Sequence, residues 1–144
     1  MVDSLTPEQR SAQMSRIRSK DTKIELEVRH GLHRMGFRYR LGGAGLPGRP
    51  DIVLPRYQTA IFVHGCFWHG HTCHLFRVPK TRTEVWRTKI EANQTRDGRN
   101  VADLRKAGWK VEVVWECELR GRSIQERTQL LERLGQRILS NRIA

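Results

Sequence analysis

The chain has 144 residues, of which 38% are hydrophobic and 29% charged, which suits one globular domain and excludes a membrane-spanning or wholly disordered protein. Lys and Arg number 27 against 15 Asp and Glu, a net charge of +12 spread over the whole chain. That balance favours a nucleic-acid partner, where counterion release drives binding and arginine reads phosphates and guanine edges. In chain order, residues 1–20 (MVDSLTPEQRSAQMSRIRSK) begin with a cap-like Thr6-Pro7 and offer few apolar side chains, chiefly Met14 and Ile17. They fit an N-terminal arm that orders on DNA, with a disordered tail as the plain alternative. Residues 21–144 form the globular domain.

In "DTKIELEVRHGLHRMG", Ile24, Val28, Leu32 and Met35 recur at helical spacing. Thr22 with Glu25 fits a capping box, and Gly36 fits the C-terminal cap. "FRYRL" (37–41) alternates like a strand, and "GGAGLPGRP" (42–50) is loop by composition. "DIVL" and "TAIFVH" read as two strands around a turn at "PRYQ". A long helical pattern begins at Thr81, where "TRTE" offers a second capping box, and Gly98 marks a break. Trp86, Lys89, Asn93, Arg96 and Asp97 share one face of it, continued by Leu104. "WKVEVVW" (109–115) alternates as another strand, with Trp109 and Trp115 read as core. Ile124, Leu130, Leu131, Leu134 and Ile138 mark a final amphipathic helix. The order α-α-β-β-β-α-β-α predicts a single α/β domain with a mixed central sheet flanked by helices.

Three features carry chemistry. Asp51 opens the otherwise apolar strand "DIVL", where a carboxylate is costly to bury without a partner. A metal ion is one such partner, and capping of the preceding loop is the plain alternative. "HGCFWHGHTCH" (64–74) then packs four histidines and two of the three cysteines around Phe67 and Trp68. An odd cysteine count argues against a disulfide framework. Three thiols and one histidine would instead complete a tetrahedral zinc site. On spacing alone, His69, His71 or His74 could be the fourth ligand. The chain shows no apolar run long enough for a membrane and no leader pattern, so a cytoplasmic location is expected.

Together "GLPGRPDIVL", "IFVHGCFWHGHTCHLFRVPKTRTEVW" and "VVWECELRGR" resemble the very short patch repair endonucleases, from about residue 15 to about 122. The resemblance implies a divergent PD-(D/E)xK, restriction-endonuclease-like fold with a structural zinc, residues 21–144 being the endonuclease domain. It implies a strand-specific nick 5′ of the T in T·G mismatches left by deaminated 5-methylcytosine. Asp51 matches the magnesium-binding aspartate. The second protein ligand is a main-chain oxygen at the position of Val63, where many relatives carry threonine. That explains why Phe62-Val63-His64 stands where the fold usually has an acid-x-lysine. His69 matches the histidine that activates water, and His64, Glu25 and Asp97 match supporting active-site residues. Capping competes with this role for Glu25. The zinc set carried over is Cys66, His71, Cys73 and Cys117. Phe67, Trp68 and Trp86 match aromatics that wedge into the base stack beside the mismatch. Lys89, Asn93 and Arg96 share the face of Trp86 and are expected to touch DNA, with Met14 and Ile17 reaching the minor groove.

The expected partner is duplex DNA carrying a T·G mismatch, with mismatch-repair proteins as candidate partners. No self-association surface stands out, so a monomer is expected. A restriction-type endonuclease cutting unmismatched DNA and a zinc-stabilised DNA-binding module without activity are the rival functions. The presence of both Asp51 and His69 argues against the inactive module.

Overall fold

A computed structural model describes residues 23–43, 45–66, 69–71, 73 and 80–140. The expected arm (1–20, with Met14 and Ile17), the Thr22 cap, Phe67, Trp68 and His74 lie outside the described residues. Helix α1 (Lys23–Arg34) is followed by β1 (Arg40–Leu41), β2 (Ile52–Leu54) and β3 (Thr59–His64). Then come α2 (Thr83–Lys106), β4 (Lys110–Trp115), a short α3 (Glu116–Leu119) and α4 (Ile124–Ser140). The four strands form one mixed sheet in the order β1-β2-β3-β4. β1–β2 and β2–β3 are antiparallel, and β3–β4 is parallel, with His64 opposite Trp115. The chain is thus an α/β protein built on a four-stranded mixed sheet.

Side-chain alternation sorts the sheet into two faces. On one, Ile52, Leu54, Ile61 and Val114 pack against Val28 and Leu32 of α1 and Leu131, Leu134 and Ile138 of α4. On the other, Ala60 and Phe62 pack with Leu104 of α2, beside Val101, Trp109, Val111 and Val113. α1 and α4 approach closely: a Cβ on Gly31 would stand 2.6 Å from Leu131 Cδ1. α1 ends as its glycine predicts. Gly36 has φ +93°, and the N–H groups of Gly36 and Phe37 donate to the carbonyls of His33 and Leu32, each at 3.0 Å. That is a Schellman closure, which only a left-handed residue allows cheaply.

Several expected details differ. "FRYRL" pairs only at Arg40 and Leu41, because Phe37 is drawn into the core by the helix closure. α2 runs unbroken through Gly98, where an added Cβ would meet nothing. A lone glycine costs about 1 kcal/mol, and the inward face at Ile90, Asp97, Val101 and Leu104 holds the helix on both sides of it. The "TRTE" capping box is absent, since the helix starts one residue past Arg82, which caps it in the left-handed region at φ +55° without a side-chain bond. Ile124, expected in the core, is 74% exposed, because it occupies the first turn of α4 beyond the edge of α1 and the sheet. Trp115 does not join Trp109 in the core. It ends β4 and lies among histidines, as described next.

Candidate active site and metal centre

Three groups of functional side chains gather where β3 and β4 end, the edge of an α/β sheet at which sites form readily. The first is the Asp51 group. Asp51 stands immediately before β2 and its Oδ2 accepts the main-chain N–H of Val63 at 2.7 Å. On an extended strand the N–H and C=O of one residue point to the same side. The carbonyl oxygen of Val63 therefore faces the side on which Asp51 sits. Glu25 of α1, only 3% exposed, lies beside Asp51 and pairs with Arg29 at 3.1 Å. Burial raises the Asp51 pKa to about 6, against the pull of the Val63 N–H, and the negative charge of Glu25 adds to the rise. Two carboxylates held together, Glu25 buried and Asp51 half-buried, suit a divalent cation with oxygen ligands.

The second group is His64, His69 and Asp97, whose candidate ligating atoms lie within 4.8 Å of one another. His69 Nδ1 meets Asp97 Oδ2 of α2 at 2.5 Å. An ionised Asp97 accepts the Nδ1–H, which leaves the lone pair on Nε2. The His64 ring stacks on His69 with centroids 3.8 Å apart and planes 6° from parallel. Such a stack is a poor metal clamp. Each nitrogen lone pair lies in its ring plane, so an ion in the plane of one ring stands well outside the plane of the other. Burial, and then the nearby positive charge on His69, hold the His64 pKa down at about 4. His64 is therefore neutral at pH 7, and two stacked imidazolium rings are avoided.

The third group is Cys66, His71, Cys73 and Cys117, whose ligating atoms also lie within 4.8 Å of one another. Cys66 Sγ and Cys117 Sγ approach His71 Nδ1 at 3.6 and 3.4 Å. A tetrahedral ion with metal–sulfur and metal–nitrogen bonds of about 2.3 and 2.1 Å separates two such ligands by about 3.6 Å. The donors thus fit a closed tetrahedral metal site. Burial pushes the Cys66 thiol up to about 12 and raises Cys117 as well. Buried thiolates crowded together need a compensating cation, which a divalent ion provides. Of the three histidines open on spacing, His71 meets the thiols and His69 turns away to Asp97.

The short stretch between the two histidines is fixed from α2. Gly70 has φ +62°, and a Cβ there would stand 2.3 Å from Gln94 Nε2 and 2.7 Å from Ile90 Cγ2. Gln94 Nε2 donates to the Gly70 carbonyl at 3.1 Å. α2 also meets the loop leading to Asp51, since a Cβ on Gly48 would lie 2.8 Å from Asn100 Cβ. At its start, Lys89 Nζ sits over the Trp86 ring, 5.3 Å from the centroid. Asn93 is half-buried, and Arg96 is exposed.

Sequence reasoning missed three partners here. Gln94 anchors Gly70, Arg29 holds Glu25, and Trp115 stacks on His71 with centroids 4.0 Å apart. An Arg four residues after a Glu on a helix was a readable signal for Arg29.

A family model described as DNA mismatch endonuclease Vsr matches residues 2–75. The DNA mismatch endonuclease Vsr of Escherichia coli is 47% identical over 134 residues, covering 93% of this chain and 86% of its own length. The chain belongs to the Vsr family. Other relatives carry the name of nicking enzymes. The type II nicking enzyme V.XorIIP of Xanthomonas oryzae pv. oryzae is 52% identical over 119 residues, 83% of this chain and 88% of its own. V.NmeAIP of Neisseria meningitidis serogroup A is 48% identical over 134 residues, 92% of this chain and 96% of its own. Among the described residues, no helix is long and apolar enough to cross a membrane.

Proposed function

We propose that this protein is a magnesium-dependent DNA endonuclease that nicks one strand 5′ of the T in a T·G mismatch and so starts very short patch repair. The names of its relatives, mismatch endonuclease and nicking enzyme, support a DNA-cleaving hydrolase. The observation that carries the mechanism is the His69–Asp97 pair at 2.5 Å standing beside Asp51, whose pKa feels the His69 charge. The mixed sheet with helices on both faces fits a restriction-endonuclease-like fold, in which an aspartate before one strand and the end of the next flank the scissile phosphate.

In this reading His69 Nε2 takes a proton from the attacking water. Asp97 holds the ring in the tautomer that leaves Nε2 free and stabilises the imidazolium that forms. His64, neutral and stacked, fixes the plane of the His69 ring. Asp51 and the Val63 main-chain oxygen would hold magnesium, with Glu25 alongside, and the ion would supply polarisation of the phosphate and stabilisation of the leaving oxygen. The water oxygen forms the new bond to phosphorus, and the O3′ of the upstream nucleotide leaves and takes up a proton from solvent. The products are a 3′-hydroxyl and a 5′-phosphate on the T.

Cys66, His71, Cys73 and Cys117 would hold a structural zinc ion, a closed set with no place for substrate. Phe67, Trp68 and Trp86 serve as the wedge beside the mismatch, where unstacking costs a few kcal/mol and is cheapest at a mismatched pair. Trp86 lies on the first turns of α2, steadied by Lys89, and Lys89, Asn93 and Arg96 continue toward the DNA. Residues 1–20, with Met14 and Ile17, reach the minor groove.

The test is a nicking assay with magnesium on end-labelled duplexes that differ in one base pair, T·G against C·G. The expected result is a cut in the T-bearing strand of the mismatched duplex alone, lost with EDTA. Cutting of the matched duplex would replace this reading with a restriction-type nuclease. Binding without cutting would leave a zinc-stabilised DNA-binding module.

A further inference from the structure

We propose that Trp115 is a positioning residue that ties the His69 ring to the Cys3His metal set. The inference rests on His69 as the proton acceptor, as argued above. Trp115 ends β4 directly opposite His64, between the histidine pair and the Cys3His set. Its indole face stacks on His71, with centroids 4.0 Å apart and planes 10° from parallel. Its ring stands nearly perpendicular to His64, at 5.1 Å and 75°, and to His69, at 6.3 Å and 77°. One side chain therefore stacks on a metal-site histidine and stands across the stacked histidine pair.

The backbone around Trp115 is fixed twice. Its N–H donates to Glu118 Oε1 at 2.9 Å, and the N–H of Cys66 donates to Glu116 Oε1 at 3.2 Å. Cys117, two residues on, places its thiol 3.4 Å from His71 Nδ1. The stretch Trp115–Cys117 thus grips His71 from two directions, by ring face and by ligating edge. A metal bound by His71 and Cys117 would set the angle of the His71 ring, on which the indole is stacked. The indole in turn forms a wall beside the His64–His69 stack. Asp97 fixes His69 at Nδ1 but leaves the ring free to swing about that hydrogen bond. The stack and the indole remove that freedom.

The geometry explains why an indole stands here. A ring that stacks on His71 and also stands across His64 and His69 is served by the larger area of two fused rings. A phenyl ring can keep the stack but covers less of the histidine pair, and an aliphatic side chain keeps neither orientation. Misplacement of a catalytic group by about 1 Å costs on the order of 100-fold in rate. The expected loss is therefore in turnover and not in DNA binding.

The experiment compares the full chain with Trp115→Phe and Trp115→Leu. It reads kcat and KM for nicking of a T·G duplex, and zinc per chain by atomic absorption. For Trp115→Leu, kcat should fall by about 10- to 100-fold, with KM within about twofold and zinc still one per chain. Trp115→Phe should lie between, about 3- to 10-fold below the unmutated protein. Unchanged kcat in either variant would overturn the proposal. So would a loss of kcat that tracks loss of zinc, which would make Trp115 a support of the metal site alone. Should the leucine variant fail to fold, the phenylalanine variant decides by the same readings. If the unmutated protein does not nick the T·G duplex, the catalytic reading and this proposal fall together. If it nicks and the variants keep pace, only the positioning role falls.

Discussion

Replacing Asp97 by asparagine keeps the shape of the side chain and removes its charge. In the protein, Asp97 Oδ2 meets His69 Nδ1 at 2.5 Å, with the two side chains 27% and 24% exposed. When His69 takes a proton, its positive charge lies about 4 Å from the carboxylate, and at an effective dielectric near 20 the attraction is about 4 kcal/mol. A quarter of each side chain faces solvent, so about 2 to 3 kcal/mol is the share to expect at the transition state. Each 1.36 kcal/mol is tenfold in rate, which gives about a 30- to 150-fold fall in kcat. The amide of asparagine also offers a donor to Nδ1, favouring the tautomer with the proton on Nε2, and this acts in the same direction. The assay is single-turnover nicking of the T·G duplex by Asp97→Asn, with the Kd for the same duplex measured in parallel. A rate within about threefold of the unmutated protein would refute the dyad. An equal loss in rate and affinity would place Asp97 in DNA binding.

Asp51→Asn should abolish nicking yet stabilise the protein at pH 7 without added magnesium. The folded pKa of about 6 exceeds the ordinary 3.8 because the buried carboxyl resists ionisation. The folded state thus binds more protons between those values, and stability is lost as pH rises through them. Asparagine avoids that cost, so a gain of about 2 kcal/mol in urea unfolding is expected at pH 7, fading below about pH 4. No gain would show that Asp51 ionises freely. Cys117→Ser should lower zinc below one per chain and reduce Tm by about 10 °C, the scale of about 3 kcal/mol for a chain of this length. Unchanged zinc would remove Cys117 from the metal set. Gly70→Ala places a methyl against Gln94 and Ile90 at a left-handed position, so kcat should drop at least tenfold with zinc retained. Full activity would mean that the His69–His71 segment needs no fixing to α2. Trp68→Ala should weaken preference for T·G over C·G more than it weakens binding to matched DNA, and an equal loss in both would count against the wedge.

The periodic signals in this sequence translate well into structure. Gly36 after Met35 ends α1 by the closure its left-handed φ permits. The alternation of Val111 and Val113 places them on the α2 face of the sheet. Alternation states only which face a residue occupies, and at a strand end it cannot state what lies over that face. Trp115 shares the parity of Val113 but projects past Leu104 into the histidines. Long-range pairings are equally silent in the sequence. His69 and Asp97 are 28 residues apart, and Cys117 joins His71 from 46 residues away. Residue type and family resemblance name them as candidates, while only the fold brings their atoms together. Glu25 carries more than the local signal shows, since its helix N-terminal position suggests a cap while the fold also sets its carboxylate beside Arg29 and Asp51.

The continuity of α2 has a consequence for how this protein tolerates change. Gln94 and Asp97 hold the segment bearing His69, and Asn100 abuts the loop that delivers Asp51. Along a helix rising about 1.5 Å per residue, Gln94 and Asn100 stand about 9 Å apart. That span acts as a ruler between the two halves of the site. Insertions in the connecting loops leave the ruler intact. One residue inserted between Asp97 and Asn100 would turn the second contact by about 100° and decouple the halves. The span from Gln94 to Asn100 is thereby intolerant of insertion, although it carries no reacting atom beyond Asp97.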